Sequence, residues 1–205
     1  MHLTPAIRSA QRTYLYDLSI HGALFLSSTP ESRRATITSY RDPNFLRTFY
    51  TRLRRNEEDR ELRNAGYEWV SHCQGEANFL RPARDGTAIV FDDLHSRELT
   101  YGAGSLSTEF CPDRLRVSPK TGYLFHPSPV PRRASTSPYG PYSLLRSALG
   151  LEHFAESLEI DTHEGQIEGK YRFQGREYSI KPLEEGDVWS RFDQTAASAT
   201  KTENS

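Results

Sequence analysis

Four arginines in the sequence have the chemistry and the placement to hold an anionic ligand. Arg52 and Arg54 leave a predicted helix. Arg81 ends a predicted strand, and Arg146 lies inside a second predicted helix. A guanidinium is a planar fork of donors that matches a carboxylate or a phosphate. If the two halves of the chain pack about a pseudo-twofold axis, Arg52 or Arg54 is expected to converge with Arg146. The candidate ligand-binding residues are Arg52, Arg54, Asn56, Asn78, Arg81, Tyr101, His126 and Arg146.

A structural explanation of the same arginines competes with the anion site. Arg81 and Arg146 can each satisfy a buried carboxylate or carbonyl groups at a strand end. The arginines of the first helix can form a solvated face that pairs with the acidic run at residues 57–61. The sequence holds 22 Arg against 4 Lys, an imbalance that the codon usage of a GC-rich genome also produces. The formal net charge of −1 argues against a protein held to nucleic acid by bulk charge, so no nucleic-acid partner is expected.

Thiol, metal and cofactor chemistry have no local signature in this sequence. Cys73 and Cys111 form no Cys-x-x-Cys pair, so we expect neither a zinc site nor a disulfide. None of the 7 histidines falls in an H-x-x-x-H or H-E-x-x-H pattern, and no glycine-rich phosphate loop is present, so neither a metal nor a cofactor is expected. His72 adjoins Cys73, but neighbours on a strand point to opposite faces, so a thiol enzyme needs another histidine such as His126.

Short strands around two helices must position these residues. Residues 13–18 and 23–27 flank a Gly-containing turn and predict a β-hairpin. Asp42 is a suitable N-cap and Pro43 suits the first helical position, so they predict the start of helix one. The apolar residues of that helix recur at helical spacing, and its other sides carry Arg47, Arg52, Arg54 and Arg55. Strands follow at 67–73, 77–81, 87–91, 98–101, 105–110, 114–117 and 123–125.

The second half of the sequence predicts a similar set of elements. Residues 127–141 hold five prolines and predict an exposed, extended loop. Helix two is predicted at about 142–156, and residues 166–173 and 176–180 form the last hairpin. We therefore expect an α+β fold, mostly antiparallel, with two main helices in one globular body. Its parts are a disordered or short targeting segment at 1–11, α+β halves at 12–100 and 101–186, and a disordered tail at 187–205.

Three landmarks recur in the two halves at nearly constant distance. The turn glycines Gly22 and Gly122 lie 100 residues apart, as do Gly75 and Gly175 in the later hairpins. The two helices are predicted to start near residues 43 and 141, 98 apart. This agreement indicates a duplicated ββαββ-like unit. Chance alignment of short β elements is the alternative, because the identity between the halves is weak.

The run from Asp42 to Asn56 resembles a motif of the eukaryotic family of uncharacterised proteins numbered 0598 in the UPF series. Further matches follow in the family's order over roughly residues 13–160: Asn78-Phe-Leu-Arg81, Ile89-Val-Phe91, Tyr101-Gly102, Leu124-Phe-His-Pro127 and Arg146-Ser-Ala-Leu149. The family has no established activity, so the resemblance implies no catalytic residues.

The same resemblance implies a mitochondrial location, because the animal members look mitochondrial; without it, the protein is expected in the cytoplasm. The first twelve residues hold two arginines and no acid, which is similar to a short targeting sequence. A fainter similarity joins the chain to a bacterial domain family of unknown function. It implies an α+β fold with repeated motifs and a signalling or ligand-binding role.

Three classes of function follow from these patterns. The first is a non-enzymatic binding or assembly protein that contacts protein partners through the proline-rich loop and the arginine surface. The second is a sensor or carrier of a small anionic ligand, which a pocket with at least two of the four arginines would favour. The third is an enzyme of undetected type, which Cys73 beside a histidine in a cleft would support. No run of 18 apolar residues occurs, so no membrane span is expected.

Overall fold

The computed structural model describes residues 12–27, 38–73, 75–163 and 166–189, with side chains for all of these except 162–168. The predictions for residues 1–11 and for the tail beyond residue 189 lie outside this range. Residues 28–37, between the first hairpin and helix one, also lie outside it. The described residues include strands and helices from both predicted halves, and they confirm the predicted α+β fold.

The first part of the chain forms a five-stranded sheet with two helices. Its strands lie in the order β2-β1-β5-β4-β3, in which β1 and β5 are parallel and the other neighbours are antiparallel. In chain order its elements are β1 (Thr13–Leu18), β2 (Leu24–Leu26), α1 (Pro43–Thr51), β3 (Leu53–Arg55), α2 (Arg60–Asn64), β4 (Trp69–Cys73) and β5 (Glu76–Pro82).

The remainder of the chain forms a nine-stranded sheet and one helix. The strand order of this sheet is β12-β13-β14-β9-β10-β11-β6-β7-β8. A 3₁₀ turn at Pro112–Arg114 precedes β9. The elements are β6 (Val90–His95), β7 (Glu98–Tyr101), β8 (Leu106–Glu109), β9 (Arg116–Val117), β10 (Leu124–Pro127), β11 (Tyr142–Leu145), α3 (Ser147–Phe154), β12 (Glu159–His163), β13 (Gln166–Phe173) and β14 (Arg176–Pro182).

The predicted start of helix one is confirmed, and its predicted end is wrong. The Asp42 carboxylate accepts the Phe45 backbone N–H at 2.6 Å, and Pro43 occupies the first turn of α1. The helix ends at Thr51, and the next residues form β3 against β4. Arg52 is thus the C-cap residue, and Arg54 belongs to a strand. The pairing of β3 with β4 overrides the helical pattern, because a strand turns successive side chains to opposite faces and so buries Leu53 in the core.

Helix two is shorter than predicted, because residues 142–145 form β11 instead. All four residues of β11 are buried between the parallel strand β6 and the antiparallel strand β10. A fully buried strand shows no alternation, so its apolar run cannot be distinguished from a helix by periodicity. Arg146 therefore precedes α3 rather than lying inside it. In α3 the side chains of Leu149 and Phe154 are buried, whereas Leu151 is 71% exposed.

Two sets of strands in the molecule have the same pairing pattern. The first unit, β1–β5 with α1, has the order β2-β1-β5-β4-β3. The second unit, β9, β10, α3 and β12–β14, has the order β10-β9-β14-β13-β12. In each unit the first strand is parallel to the last and the other neighbours are antiparallel. Apart from α2 between β3 and β4 in the first unit, and β11 between β10 and α3 in the second, both units have a ββαβββ order along the chain.

The register of the two units agrees as well as their strand order. In the hairpin β4–β5, Val70 lies opposite Phe79, and in β13–β14 Lys170 lies opposite Ser179. All five residue pairs of the first hairpin have a counterpart numbered 100 higher in the second. The turns of the hairpins β1–β2 and β9–β10 match too. Their glycines, Gly22 and Gly122, have φ values of +81° and +71°, which favour glycine. A duplicated unit predicts this agreement.

One hydrophobic core runs through both units. The α1 helix packs on the first sheet, where Phe49 meets Tyr16 edge to face at 5.6 Å between ring centroids. Tyr50 meets Tyr101 of β7 in the same way at 6.0 Å. The buried Tyr139 hydroxyl donates to the Tyr50 backbone carbonyl at 2.8 Å. The first unit thus contacts β7 through Tyr101 and the proline-rich loop through Tyr139.

Candidate ligand-binding site

A cavity of about 650 Å³ lies beside the first sheet, where the parallel strands β1 and β5 end. The register places Asp17 of β1 opposite both Phe25 of β2 and Arg81 of β5, so all three line the same side of the sheet. The cavity is lined by Asp17, Leu18, Ser19, Phe25, Gly66, Glu68, Arg81, Pro82, Ala83, Arg84, Asp85, Gly86 and Trp189. Apolar and aromatic side chains therefore share the wall with a few charged groups.

Asp17 and Arg81 form an ion pair across the two parallel strands. The Arg81 Nε donates to Asp17 Oδ1 at 2.7 Å, and the Ser27 hydroxyl donates to Asp17 Oδ2 at 2.7 Å. The guanidinium also lies over the Tyr67 ring, 4.6 Å from its centroid. The hydrogen bond to Asp17 raises the pKa of Arg81, and both side chains are about two-fifths exposed. The pair fixes the position of Arg81 at the cavity wall.

Trp189, in the segment that follows β14, also lines the cavity. Its ring stacks on Trp69 of β4, with centroids 6.1 Å apart and an interplanar angle of 14°. The Arg55 guanidinium lies 5.0 Å from the Trp69 centroid and 5.5 Å from the Trp189 centroid. Arg55 also donates to Glu68 at 3.0 Å. The predicted disordered tail includes Trp189, which instead packs against the first unit.

The second unit has a smaller cavity at the matching place. Its volume is about 190 Å³. Phe125 and Leu183 line it where Phe25 and Ala83 line the first cavity. In total six positions correspond: Ser19 with Ser118, Phe25 with Phe125, Ala83 with Leu183, Arg84 with Glu184, Asp85 with Glu185 and Gly86 with Gly186. The leucine in place of Ala83 is one reason for the smaller volume.

The eight candidate residues do not form one site, and only Arg81 of them lines the first cavity. Arg52 donates to the His72 backbone carbonyl at 3.1 Å, and Arg54 pairs with Glu58 at 3.3 Å on the surface. Asn56 is buried at the start of α2, where its amide donates to the carbonyls of Asp59 and Tyr67. These partners are structural.

Asn78 is also buried away from the cavity. Its amide nitrogen donates to the Ser71 carbonyl at 3.2 Å and approaches Cys73 Sγ at 3.2 Å, while its oxygen has no hydrogen-bond partner among the described residues. Burial raises the pKa of the Cys73 thiol, which disfavours the reactive thiolate. In the described part of the chain, no histidine hydrogen-bonds to Cys73. The observation that would support a thiol enzyme is thus not found there.

Tyr101, His126 and Arg146 belong to the packing of the second sheet. The Cys111 backbone N–H donates to His126 Nε2 at 2.9 Å, so the ring proton lies on Nδ1 and faces the Pro127 carbonyl at 2.9 Å. Burial lowers the pKa of His126 to about 4, which keeps the ring neutral. The Tyr101 ring packs on Phe91. Arg146 Nε is buried without a hydrogen-bond partner in the described structure.

Sequence reasoning missed most of the residues that line the first cavity. Asp17, Phe25 and Ala83 lie in or beside strands and have no motif. The 100-residue spacing of the two halves could have identified them, since each has a counterpart 99 or 100 positions later in the second unit. Trp189 gave a different signal, because a tryptophan is unusual in a segment that is otherwise predicted to be disordered.

The described residues thus form an α+β fold with a cavity of about 650 Å³ beside its first sheet. The chain belongs to the DUF4505 family, a domain of unknown function whose model matches residues 5–183. That match spans both units and the strands between them. No solved structure matches the chain. Within the described ranges, no helix is long and apolar enough to cross a membrane, and no group of three or more His, Cys, Asp or Glu side chains could hold a metal ion.

Proposed function

We propose that the protein binds a small organic molecule in the first cavity and acts as its carrier or sensor. The volume of about 650 Å³ carries this proposal, because sites for small molecules generally span 300–1,000 Å³ and have apolar walls with a few polar groups. Phe25, Leu18 and Trp189 supply apolar surface, and Arg81 and Glu68 supply polar groups. The sequence criterion for the sensor class, a pocket with at least two of the four arginines, is not met here, because only Arg81 of the four lines this cavity. The proposal therefore rests on the cavity volume and its lining.

The test is a thermal-shift screen of the purified full chain against a library of neutral, anionic and cationic metabolites. A ligand that binds only the native state raises the melting temperature as its concentration rises. The matched control is Ala83→Leu, which brings the residue of the second unit into the wall of the first cavity. Ligands that stabilise the wild type but not this variant support the proposal. If all stabilising ligands act equally on both proteins, the cavity is not the site.

We also propose contacts with a protein partner, the first class of function that the sequence indicated. Residues 131–136 are all exposed, and Val130 of the same loop is 53% exposed. The test is cross-linking in cells with wild-type protein and with a loop variant that carries Val130→Ser, Arg132→Ser and Arg133→Ser. Loss of a reproducible cross-linked partner in the variant supports the proposal. An unchanged set of partners contradicts a role for this loop.

The resemblance to the eukaryotic UPF family and its mitochondrial location are proposals of the same kind. A fusion of residues 1–12 to a fluorescent protein tests the location, and import into mitochondria is expected. Diffuse fluorescence would contradict it. Duplication of one ββαβββ unit is proposed from the matching strand orders. A comparison of aligned family sequences for residues 13–82 and 116–182 tests it, and a significant match in the 100-residue register is expected.

A further inference from the structure

We infer that the ligand of the first cavity is an uncharged molecule rather than an anion. This inference rests on the proposed function, since it concerns the occupant of the same site. It follows from the charges at the cavity wall, which come from Asp17, Glu68, Arg81, Arg84 and Asp85. Each of the three carboxylates has a cationic partner within the protein.

The Asp17–Arg81 pair is the strongest of these compensations. The two groups lie 2.7 Å apart, and such a charge-assisted hydrogen bond is short and directional. A ligand carboxylate that approached Arg81 would have to compete with Asp17. It would also meet the negative charge of Asp17 itself. Of the eight candidate residues only Arg81 lines the cavity, and its Nε is already engaged by the Asp17 carboxylate.

Glu68 and Asp85 are compensated from outside the cavity. The Glu68 side chain is 7% exposed and pairs with Arg55 at 3.0 Å. Asp85 lies 4.0 Å from Arg84 and 3.8 Å from Lys120, which are looser contacts at the rim. The described lining itself carries two arginines and three carboxylates, and Arg55 and Lys120 approach Glu68 and Asp85 from outside it. Each described carboxylate of the wall therefore has a cation within 4.0 Å.

A charged ligand loses hydration when it enters such a cavity and gains no free counter-charge in return. Burial of an ion without a partner is costly, and removal of one member of an existing pair leaves the other uncompensated. An uncharged molecule avoids both costs. Its apolar body can contact Phe25, Leu18 and Pro82, and a hydroxyl or carbonyl group can hydrogen-bond to the paired polar atoms. The neutral form of a given molecule should bind more tightly than its charged analogues.

The test uses three probes that share one ring system and differ in charge. These are 2-naphthalenemethanol, 2-naphthaleneacetate and 2-naphthalenemethylamine, which are neutral, anionic and cationic at pH 7.5. Each is titrated into the ¹⁵N-labelled full chain, and the backbone N–H signals of residues 83–86 are followed. Ala83→Leu serves as the blocked site. Leucine fits the corresponding place at residue 183 of the second unit, and the melting temperature of the variant checks its folding.

The neutral probe is expected to bind at least tenfold more tightly than either charged probe, and Ala83→Leu to weaken it at least a hundredfold. An anion or cation that binds as tightly as the alcohol, with the same loss in Ala83→Leu, overturns the inference but leaves the cavity as a ligand site. Equal binding of all probes to wild type and variant contradicts the proposed function as well. If none of the three binds at 5 mM, the inference is also overturned, and the library screen decides the proposed function separately.

Discussion

The two units of this protein share a backbone plan but differ in the cavities beside their sheets. The first cavity measures about 650 Å³ and the second about 190 Å³. The strand order, the hairpin register and the turn glycines correspond between the units. The difference therefore comes from side chains on a common frame. The two cavities thus follow the general rule that a shared fold does not determine what a local surface can bind.

Two positions illustrate how the side chains create the difference. Ala83 leaves space that Leu183 fills in the second unit. The segments after β5 and β14 also diverge, because Ile89 is buried in the core whereas Trp189 is 40% exposed at the rim of the first cavity. Trp189, which follows the second unit, thus lines the first cavity, and Asp85, which follows β5 of the first unit, lines the smaller cavity.

The largest expected effect comes from exchanging Ala83 and Leu183, the corresponding residues that differ in size between the two cavities. Ala83→Leu should abolish binding of 2-naphthalenemethanol, with at least a hundredfold loss of affinity. Leu183→Ala should enlarge the second cavity and cost about 1–2 kcal/mol of stability, since a half-buried leucine is truncated. Calorimetry and urea unfolding check these outcomes. Unchanged affinity in Ala83→Leu would contradict the assignment of the site.

The next effect concerns pH, and it should reside in the second unit. His126 corresponds to Leu26 of the first unit, and burial lowers its pKa to about 4. The unfolded chain takes up a proton near pH 6.5 and the native state does not, so stability falls as the pH drops below about 6.5. The expected loss is about 2 kcal/mol between pH 7.5 and pH 5.

Urea unfolding at a series of pH values measures this loss for the wild type and for His126→Gln. The variant is less stable at pH 7.5, because it disturbs the bonds to Cys111 and Pro127. Its stability should nevertheless depend less on pH in this window. An equally steep dependence in the variant would assign the pH effect to other groups.

A smaller effect distinguishes the helices of the two units. Asp42 caps α1 through its carboxylate, whereas Arg146 at the start of α3 makes no side-chain cap bond. Asp42→Ala should therefore cost about 1 kcal/mol of unfolding free energy. Arg146→Ala should lose no cap bond, and thermal unfolding of both variants compares them. A larger cost for Arg146→Ala would show that its packing matters more than a missing cap.

The smallest effect is expected for the ion pair at the wall of the first cavity. Asp17→Asn removes one charge of a pair that is about two-fifths exposed, so the stability cost should be about 0.5 kcal/mol. The ligand preference should change more than the stability, because Arg81 then lacks its counter-ion. Binding of 2-naphthaleneacetate should improve in this variant. No change in its affinity would indicate that Asp17 does not screen Arg81 from ligands.

Much of the fold could be predicted from sequence, because its signals are local. The Asp42-Pro43 start of α1 and the glycine turns at 22, 75, 122 and 175 are set by capping and by positive φ values. The β11 strand could not be predicted in the same way. Its residues Tyr142–Leu145 are buried by strands that are distant in sequence, and this tertiary contact overrides the helical spacing.

The site was less predictable than the fold. Of the four arginines chosen for their chemistry, Arg81 lines the first cavity, whereas Arg52 and Arg54 meet their own local partners and Arg146 precedes α3. A cavity depends on what is small or absent, such as the missing side-chain volume at Ala83. Sequence patterns register groups that are present, so a wall built from Ala83, Phe25 and Trp189 leaves no motif. The comparison of the two units identifies these wall residues instead.

We propose that the first unit binds a ligand where the second does not. The most direct measurement is a titration of the ¹⁵N-labelled protein with 2-naphthalenemethanol, with backbone N–H signals assigned in both units. Saturable shifts are expected at Ala83, Asp85 and Gly86, with the corresponding signals of Leu183, Glu185 and Gly186 unmoved. Shifts in the second set alone, or equal shifts in both sets, would contradict the account.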